Sequence, residues 1–194
     1  MANKIEKGNK RSGAVQKKSL RKSPSLPKCI PKKILEFEKL ISGFSAALIA
    51  TPQEKLENEL NNWLKKFVEF LGVERCVVNE IMDDGKSVHR LLNYTVADID
   101  IPPVLESYTP PEGVIDELKK GLIIKAEKIP DDLPLSFRNG IIEKTRTKSV
   151  VIIPFSADNR VIGTILFASY RKERKWSDNL IRRIKLIAEI IANT

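Results

Sequence analysis

Residues 148–155 (KSVVIIPF), 156–160 (SADNR) and 161–170 (VIGTILFASY) read as a strand, a tight turn and a second strand. A charged loop follows, Arg171-Lys172-Glu173-Arg174-Lys175-Trp176. The chain then closes on an amphipathic helix over 177–193, with Leu180, Ile184, Ile187 and Ile191 on one heptad-like stripe. Ile181, Ala188, Leu186 and Ile190 broaden that stripe beyond what a single sheet contact needs.

Working backwards, Leu122 to Ala126 reads as a short strand. Thr109-Pro110-Pro111-Glu112 carries a helix-start signature, for a short helix that runs to Lys120 and stops at Gly121. Between Ile129 and Thr147 the signals conflict: Asp131, Asp132 and Pro134 suggest a helix start, whereas Asn139-Gly140 weakens its middle. Pro102, Pro103, Pro110 and Pro111 make residues 97–111 a long irregular connection. Two further strands, Cys76 to Met82 and Ser87 to Val96, flank Asp83-Asp84-Gly85-Lys86, a hairpin signal. Leu56, Leu60, Trp63, Phe67 and Phe70 or Leu71 lie on one face of a helix, which Thr51-Pro52-Gln53-Glu54 starts and Gly72 ends. Ile34, Phe37, Ile41, Phe44 and Leu48 form the stripe of an earlier helix. Mostly antiparallel strands with helices gathered on one face define an α+β domain.

The chain has 194 residues, a net charge of +9 and a pI of about 9.5, but the charge is not evenly spread. Residues 1–33 carry eleven Lys or Arg against Glu6 alone; the remainder is almost neutral. The first segment is therefore expected to be a disordered basic tail, too poor in apolar side chains to offset the entropy of ordering. Residues 34–50 are expected to form a connecting and dimerisation helix, and residues 51–194 the domain proper. Cys29 and Cys76 are too few for a disulfide framework or a zinc cage, and free thiols fit a reducing cytosol. No apolar run approaches the roughly 18 residues of a membrane span. A cytoplasmic location is expected.

Several stretches together resemble a GAF domain. Leu71-Gly72-Val73-Glu74-Arg75, Asn79-Glu80 and Asp84-Gly85 are similar to its first helix-to-hairpin segment. Asp116-Glu117-Leu118-Lys119-Lys120-Gly121, Leu122-Ile123-Ile124 and Asp132-Leu133-Pro134 are similar to its crossover. Lys148 to Pro154, Val161-Ile162-Gly163 and Arg174-Lys175-Trp176-Ser177 resemble its final hairpin and helix start. The version that looks nearest occurs in bacterial sensor histidine kinases and transcriptional regulators. Arg146 departs from it, standing where the family usually has Gly. The resemblance implies a mostly antiparallel sheet with its N- and C-terminal helices on one face and a crossover with a ligand pocket on the other. It implies a sensor that signals through its terminal helices to an output module, here read as either a stand-alone protein or a piece of a longer one.

The chemistry to be placed on that fold is sparse. His89 is the single histidine and reads as an exposed strand residue, so no Ser-His-Asp triad is expected. Cys76 alone in the domain does not supply the paired thiols of GAF-like methionine sulfoxide reductases, and residues 97–147 hold no cysteine to attach a bilin. Asp98, Asp100, Asp131 and Asp132 read as solvated loop acids in place of a cation site. No enzyme activity, catalytic residue or metal is expected; any cofactor is unknown. Candidate pocket residues are Tyr94, Tyr108, Ile124, Phe137, Val151, Ile153 and Ala168. Strand alternation assigns each to one face without saying which face meets the ligand. The expected partner is an unidentified small molecule, with a homodimer through the terminal helices. The contrasting readings are a ligand-free interaction module, and nucleic-acid binding through the 1–33 tail.

Overall fold

A computed structural model describes residues 32–100, 105–129, 131–132 and 146–194. Almost all of the expected basic tail, and most of the ambiguous stretch before Thr147, lie outside these residues. Helix α1 (Lys32–Ala50) and helix α2 (Leu56–Leu71) pack through an aromatic cluster. The rings of Phe44 and Phe67 meet edge-on with centroids 5.0 Å apart, and those of Phe44 and Trp63 lie 5.4 Å apart. Such pairs add about 0.5–1.5 kcal/mol each beyond the area they bury. Gly72 ends α2 in the left-handed conformation, φ 62° and ψ 43°, its amide donating to the Val68 and Glu69 carbonyls. That is the cap a glycine supplies without Cβ strain.

Strands β1 (Arg75–Ile81) and β2 (Val88–Thr95) form the first hairpin. Its turn is held by Asp84, whose carboxylate accepts from the amides of Lys86 and Ser87 and from the Ser87 hydroxyl. The short β3 (Ser107–Tyr108) borders β2. Helix α3 (Val114–Lys119) and strand β4 (Ile124–Ala126) belong to the crossover. Strands β5 (Ser149–Ala157) and β6 (Arg160–Ser169) form the last hairpin, and α4 (Asp178–Ala192) follows. The six strands are ordered β3-β2-β1-β6-β5-β4, every neighbouring pair antiparallel. The expected α+β class and this sheet agree.

Three local readings are corrected. Thr51 does not cap α2: its hydroxyl donates to the Ala47 carbonyl, and a 3-10 turn (Gln53–Lys55) intervenes before α2. Thr109 does not cap α3 either, because Gly113, at φ 81°, is the residue before that helix. The last hairpin turn is shorter than the sequence suggests. A bulge after Phe155 lets β5 continue to Ala157, leaving Asp158 and Asn159, with φ of 47° and 63°, as the two-residue connection. Two successive positive φ values suit the twist of flanking strands, and Asp and Asn tolerate them.

Both sheet faces are covered. Cys76, Val78, Leu92, Val151, Ile153, Phe155, Ile165 and Phe167 pack against α1, α2 and α4. Ile184 and Ile187 of α4 are fully buried there, so the centre of the broad C-terminal stripe is used within the chain. The opposite face, with Val150 and Ala168, packs on Val114, Ile115 and Leu118 of the crossover.

Gly163 marks the tightest point of the sheet. A Cβ there would overlap the Phe155 ring and stand 2.5 Å from the Asn79 carbonyl oxygen. Gly163→Ala is expected to lower stability by about 1–3 kcal/mol, the usual range for overpacking. Urea denaturation of variant and parent checks this; an unchanged midpoint would contradict the close approach.

Candidate functional site

Period-two alternation and strand register decide which residues share a surface. Arg75 lies directly opposite Ala168, Ala168 opposite Val150, and Val150 opposite Ala126. These four form one row across β1, β6, β5 and β4 on the crossover side. The adjacent row runs Cys76, Phe167, Val151, and it faces the terminal helices.

The candidate pocket residues divide accordingly. Tyr108, Ile124 and Ala168 come together on the crossover side. Val151 and Ile153 are fully buried on the helix side, and Tyr94, opposite Cys76, packs there too. Those three are corrected on geometric grounds: one residue along a strand reverses the face, and it is Val150 and Ile152 that look toward the crossover. Phe137 lies outside the described residues.

The crossover side also carries polar groups that the sequence reading passed over. Arg75 is 5% exposed, yet it is a charged residue in the middle layer of the domain. Its Nε donates to Asn93 Oδ1 at 3.0 Å and its Nη1 to the Tyr170 hydroxyl at 3.4 Å. Four residues along the same strand face, Asn79 is 3% exposed and donates from Nδ2 to Thr164 Oγ1 at 3.4 Å. The Asn79 Oδ1 atom has no hydrogen-bond partner among the described residues. Arg90, opposite Asn79, donates to the Leu105 carbonyl at 2.6 Å. Burial lowers the pKa of Arg90, and the nearby charge of Arg75 lowers it further; Tyr108 and Glu106 act in the other direction. Burial likewise pushes the Tyr108 hydroxyl up, partly opposed by Arg90 and Arg75. The sequence held a signal for this group. Arg75 and Asn79 place polar groups at the same parity of β1, with Val77 between them.

Other titratable side chains have local partners. His89 Nδ1 lies 2.9 Å from Ser107 Oγ on the edge hairpin. Asp98 pairs with Arg171, Asp131 with Lys128 at 2.8 Å, and Asp132 accepts from the Glu127 and Lys128 amides. Cys76 is buried and free, and burial pushes its thiol well above the usual range, with Arg75 opposing. Trp176, fully buried, ties the crossover to the start of α4: its amide donates to Glu127 Oε1 and its indole to the Ala126 carbonyl. A separate groove of about 840 Å3 lies between α1, the 3-10 turn and the end of α4. Ile41, Leu48, Ile49, Leu186 and Ile190 line it, with Ile49 88% exposed. No helix among the described residues is long and apolar enough to cross a membrane.

Comparison with solved structures finds the same architecture. The phycocyanobilin-bound GAF domain from a cyanobacterial phytochrome superposes with a TM-score of 0.69 at 14% identity, covering 81% of this chain and 92% of that one. Free methionine-R-sulfoxide reductase from Neisseria meningitidis, in complex with its substrate, gives 0.65 at 14% identity, covering 86% and 91%. The GAF domain from Acinetobacter phosphoenolpyruvate-protein phosphotransferase gives 0.61 at 11% identity, covering 81% and 91%. At these identities the likeness is one of fold. A search against curated protein sequences finds no match. The sequence model of the GAF domain matches residues 55–194, from the 3-10 turn before α2 through the whole sheet to the last helix. With that match over most of its length, and the same sheet flanked by helices and crossover, the chain belongs to the GAF domain family.

Proposed function

We propose that this chain is a sensory domain that takes up a small molecule on the crossover side of its sheet and signals through α1 and α4 to an output module. The observation that carries the reading is the polar group on the crossover face: Arg75, Asn93, Tyr170, Asn79 and Thr164, set among apolar neighbours. A face built only for packing has no need of a buried guanidinium, whereas ligand sites combine apolar walls with a few placed polar groups. Related folds use this architecture for ligands, as the phycocyanobilin-bound phytochrome domain does. The output module is a histidine kinase or a transcriptional regulator in this proposal. A cytoplasmic setting and the absence of catalysis belong to the same reading.

Coupling would follow from the sheet itself. Val150 faces the crossover and Val151 faces the helices, so a shift of β5 to admit a ligand also moves the surface on which Ile184 and Ile187 rest. A ligand that favours one such packing shifts the population of helix positions. The groove beside α4 favours a second reading, in which a second copy pairs through α1 and α4. Leu35, Ile49 and Leu186 are 46%, 88% and 48% exposed on those two helices.

Native mass spectrometry of the full chain tests both readings. A co-purifying mass lost on denaturation is expected for the sensor, and a twofold mass removed by Leu186→Glu for the pair. A clean monomeric spectrum that no small-molecule extract alters would count against each. The reductase neighbour raises thiol chemistry as a competitor, and burial of Cys76 decides the expectation. In a Cys29→Ala variant, the native protein at pH 8 is expected to react with a thiol reagent at least about a hundredfold more slowly than the guanidinium-unfolded chain. Equal rates would restore a reactive Cys76.

A further inference from the structure

We propose that the crossover side of the sheet binds a small acid with an apolar body, holding its carboxylate against the guanidinium of Arg75. The inference deepens the ligand-binding reading above and rests on it. Arg75 is buried, and both of its hydrogen-bond partners, Asn93 and Tyr170, are neutral. Among the described residues, no carboxylate lies within ion-pair distance of it. Its sequence neighbour Glu74 spends Oε2 on the Tyr170 amide at 2.8 Å. A charge removed from water without a counter-charge is costly, and an anion arriving at it recovers part of that cost.

The direction of the remaining donors sets the ligand class. Asn93 takes the Nε–H and Tyr170 takes one N–H of Nη1. The guanidinium then keeps one N–H of Nη1 and both of Nη2 as donors for an anion such as a carboxylate. Because Asn93 and Tyr170 already fix the plane of the group, little side-chain freedom remains to be lost on binding.

Register supplies the place for the rest of the molecule. Across the strands beside Arg75 come Ala168, Val150 and Ala126. All three are buried beneath Val114, Ile115 and Leu118 of the crossover, so they supply an apolar floor, and the body of a ligand would take the place of that cover. Further along the face, the Asn79 Oδ1 acceptor offers a site for a donor at the far end of a longer ligand.

The test uses the full chain and three probes, benzoate, its neutral amide benzamide, and inorganic phosphate, each followed by thermal shift and calorimetry. Benzoate is expected to raise the melting temperature saturably, with benzamide giving no shift at the same concentration. Arg75→Gln is expected to weaken benzoate about tenfold or more, with Arg75→Lys in between. Equal shifts from benzoate and benzamide, or full benzoate binding by a folded Arg75→Gln protein, would overturn the acid assignment and leave ligand binding standing. A larger Arg75-dependent shift from phosphate would replace carboxylate by phosphate. If no probe binds, the native mass spectrum separates the two levels: a neutral adduct overturns the acid alone, and no adduct overturns the ligand reading with it. Should Arg75→Gln fail to fold, the benzoate and benzamide comparison on the parent protein still decides.

Discussion

The alternation of β1, β6 and β5 between two buried faces is the constraint on which the rest of the molecule depends. Each of these strands has covered residues on both sides: Cys76, Phe167 and Val151 under the helices, Ile81, Ala168 and Val150 under the crossover. Burial at both faces makes the register expensive to change, because a slip of one residue would exchange the two cores entirely. Gly163 enforces the same register by sterics, since only the absence of a Cβ lets β6 pass the Phe155 ring and the Asn79 backbone. Trp176 then couples the layers, placed in the core while its two nitrogens bond to the end of β4 and to Glu127. A fully buried side chain of this size contributes about 1.5–3 kcal/mol by transfer alone, which helps anchor the crossover to the core.

Much of this was readable in the residues. The helix stripes, the Gly72 cap, the Asp84-Gly85 turn and the closing hairpin are local signals, and each has a local physical cause that tertiary contacts do not reverse. The misread helix starts had the right residues in the wrong setting. Thr51 has a competing acceptor in the Ala47 carbonyl one turn back, and the residue before α3 is Gly113, left-handed and four residues beyond Thr109. The site was less legible, for a different reason. Alternation makes Val150 and Val151 equivalent until a partner strand is known, and only the pairing of Val150 with Ala168 resolves them. Choosing Ala168 together with Val151 and Ile153 mixed two surfaces that never meet.

The polar group on the crossover face escaped notice because charge at the start of a strand is ordinarily solvent-facing. Arg75 looks like the last polar residue of a loop, and Glu74 beside it supplies an apparent counter-charge. In three dimensions the two are directed to separate tasks. Glu74 accepts from the Tyr170 amide, and Arg75 reaches Asn93 and the Tyr170 hydroxyl. Tyr170 therefore meets both, through its backbone and its hydroxyl, and, directly after β6, it joins the end of the final hairpin to the first strand. Any buried guanidinium needs partners of this kind to offset its lost hydration. If Arg75 meets a ligand as proposed, the same partners would hold its plane and reduce the entropy lost on binding.

The same geometry explains how a binding event on one face would be felt on the other. Arg75 and Cys76 are successive residues of β1; the first belongs to the crossover side and the second to the helix core. Ala168 and Phe167 repeat the relation on β6, and Val150 and Val151 on β5. Packed interiors do not deform continuously, so a strand that moves to accept an anion at Arg75 must carry its helix-facing neighbours with it. Cys76, Phe167 and Val151 form one row, and that row lies in the core that also contains Ile184 and Ile187 of α4. Transmission from ligand to terminal helix therefore needs no long chain of side chains. In the proposed sensor it would cross the thickness of one sheet, through residues adjacent in sequence, and emerge on the helix that carries the exposed Leu186.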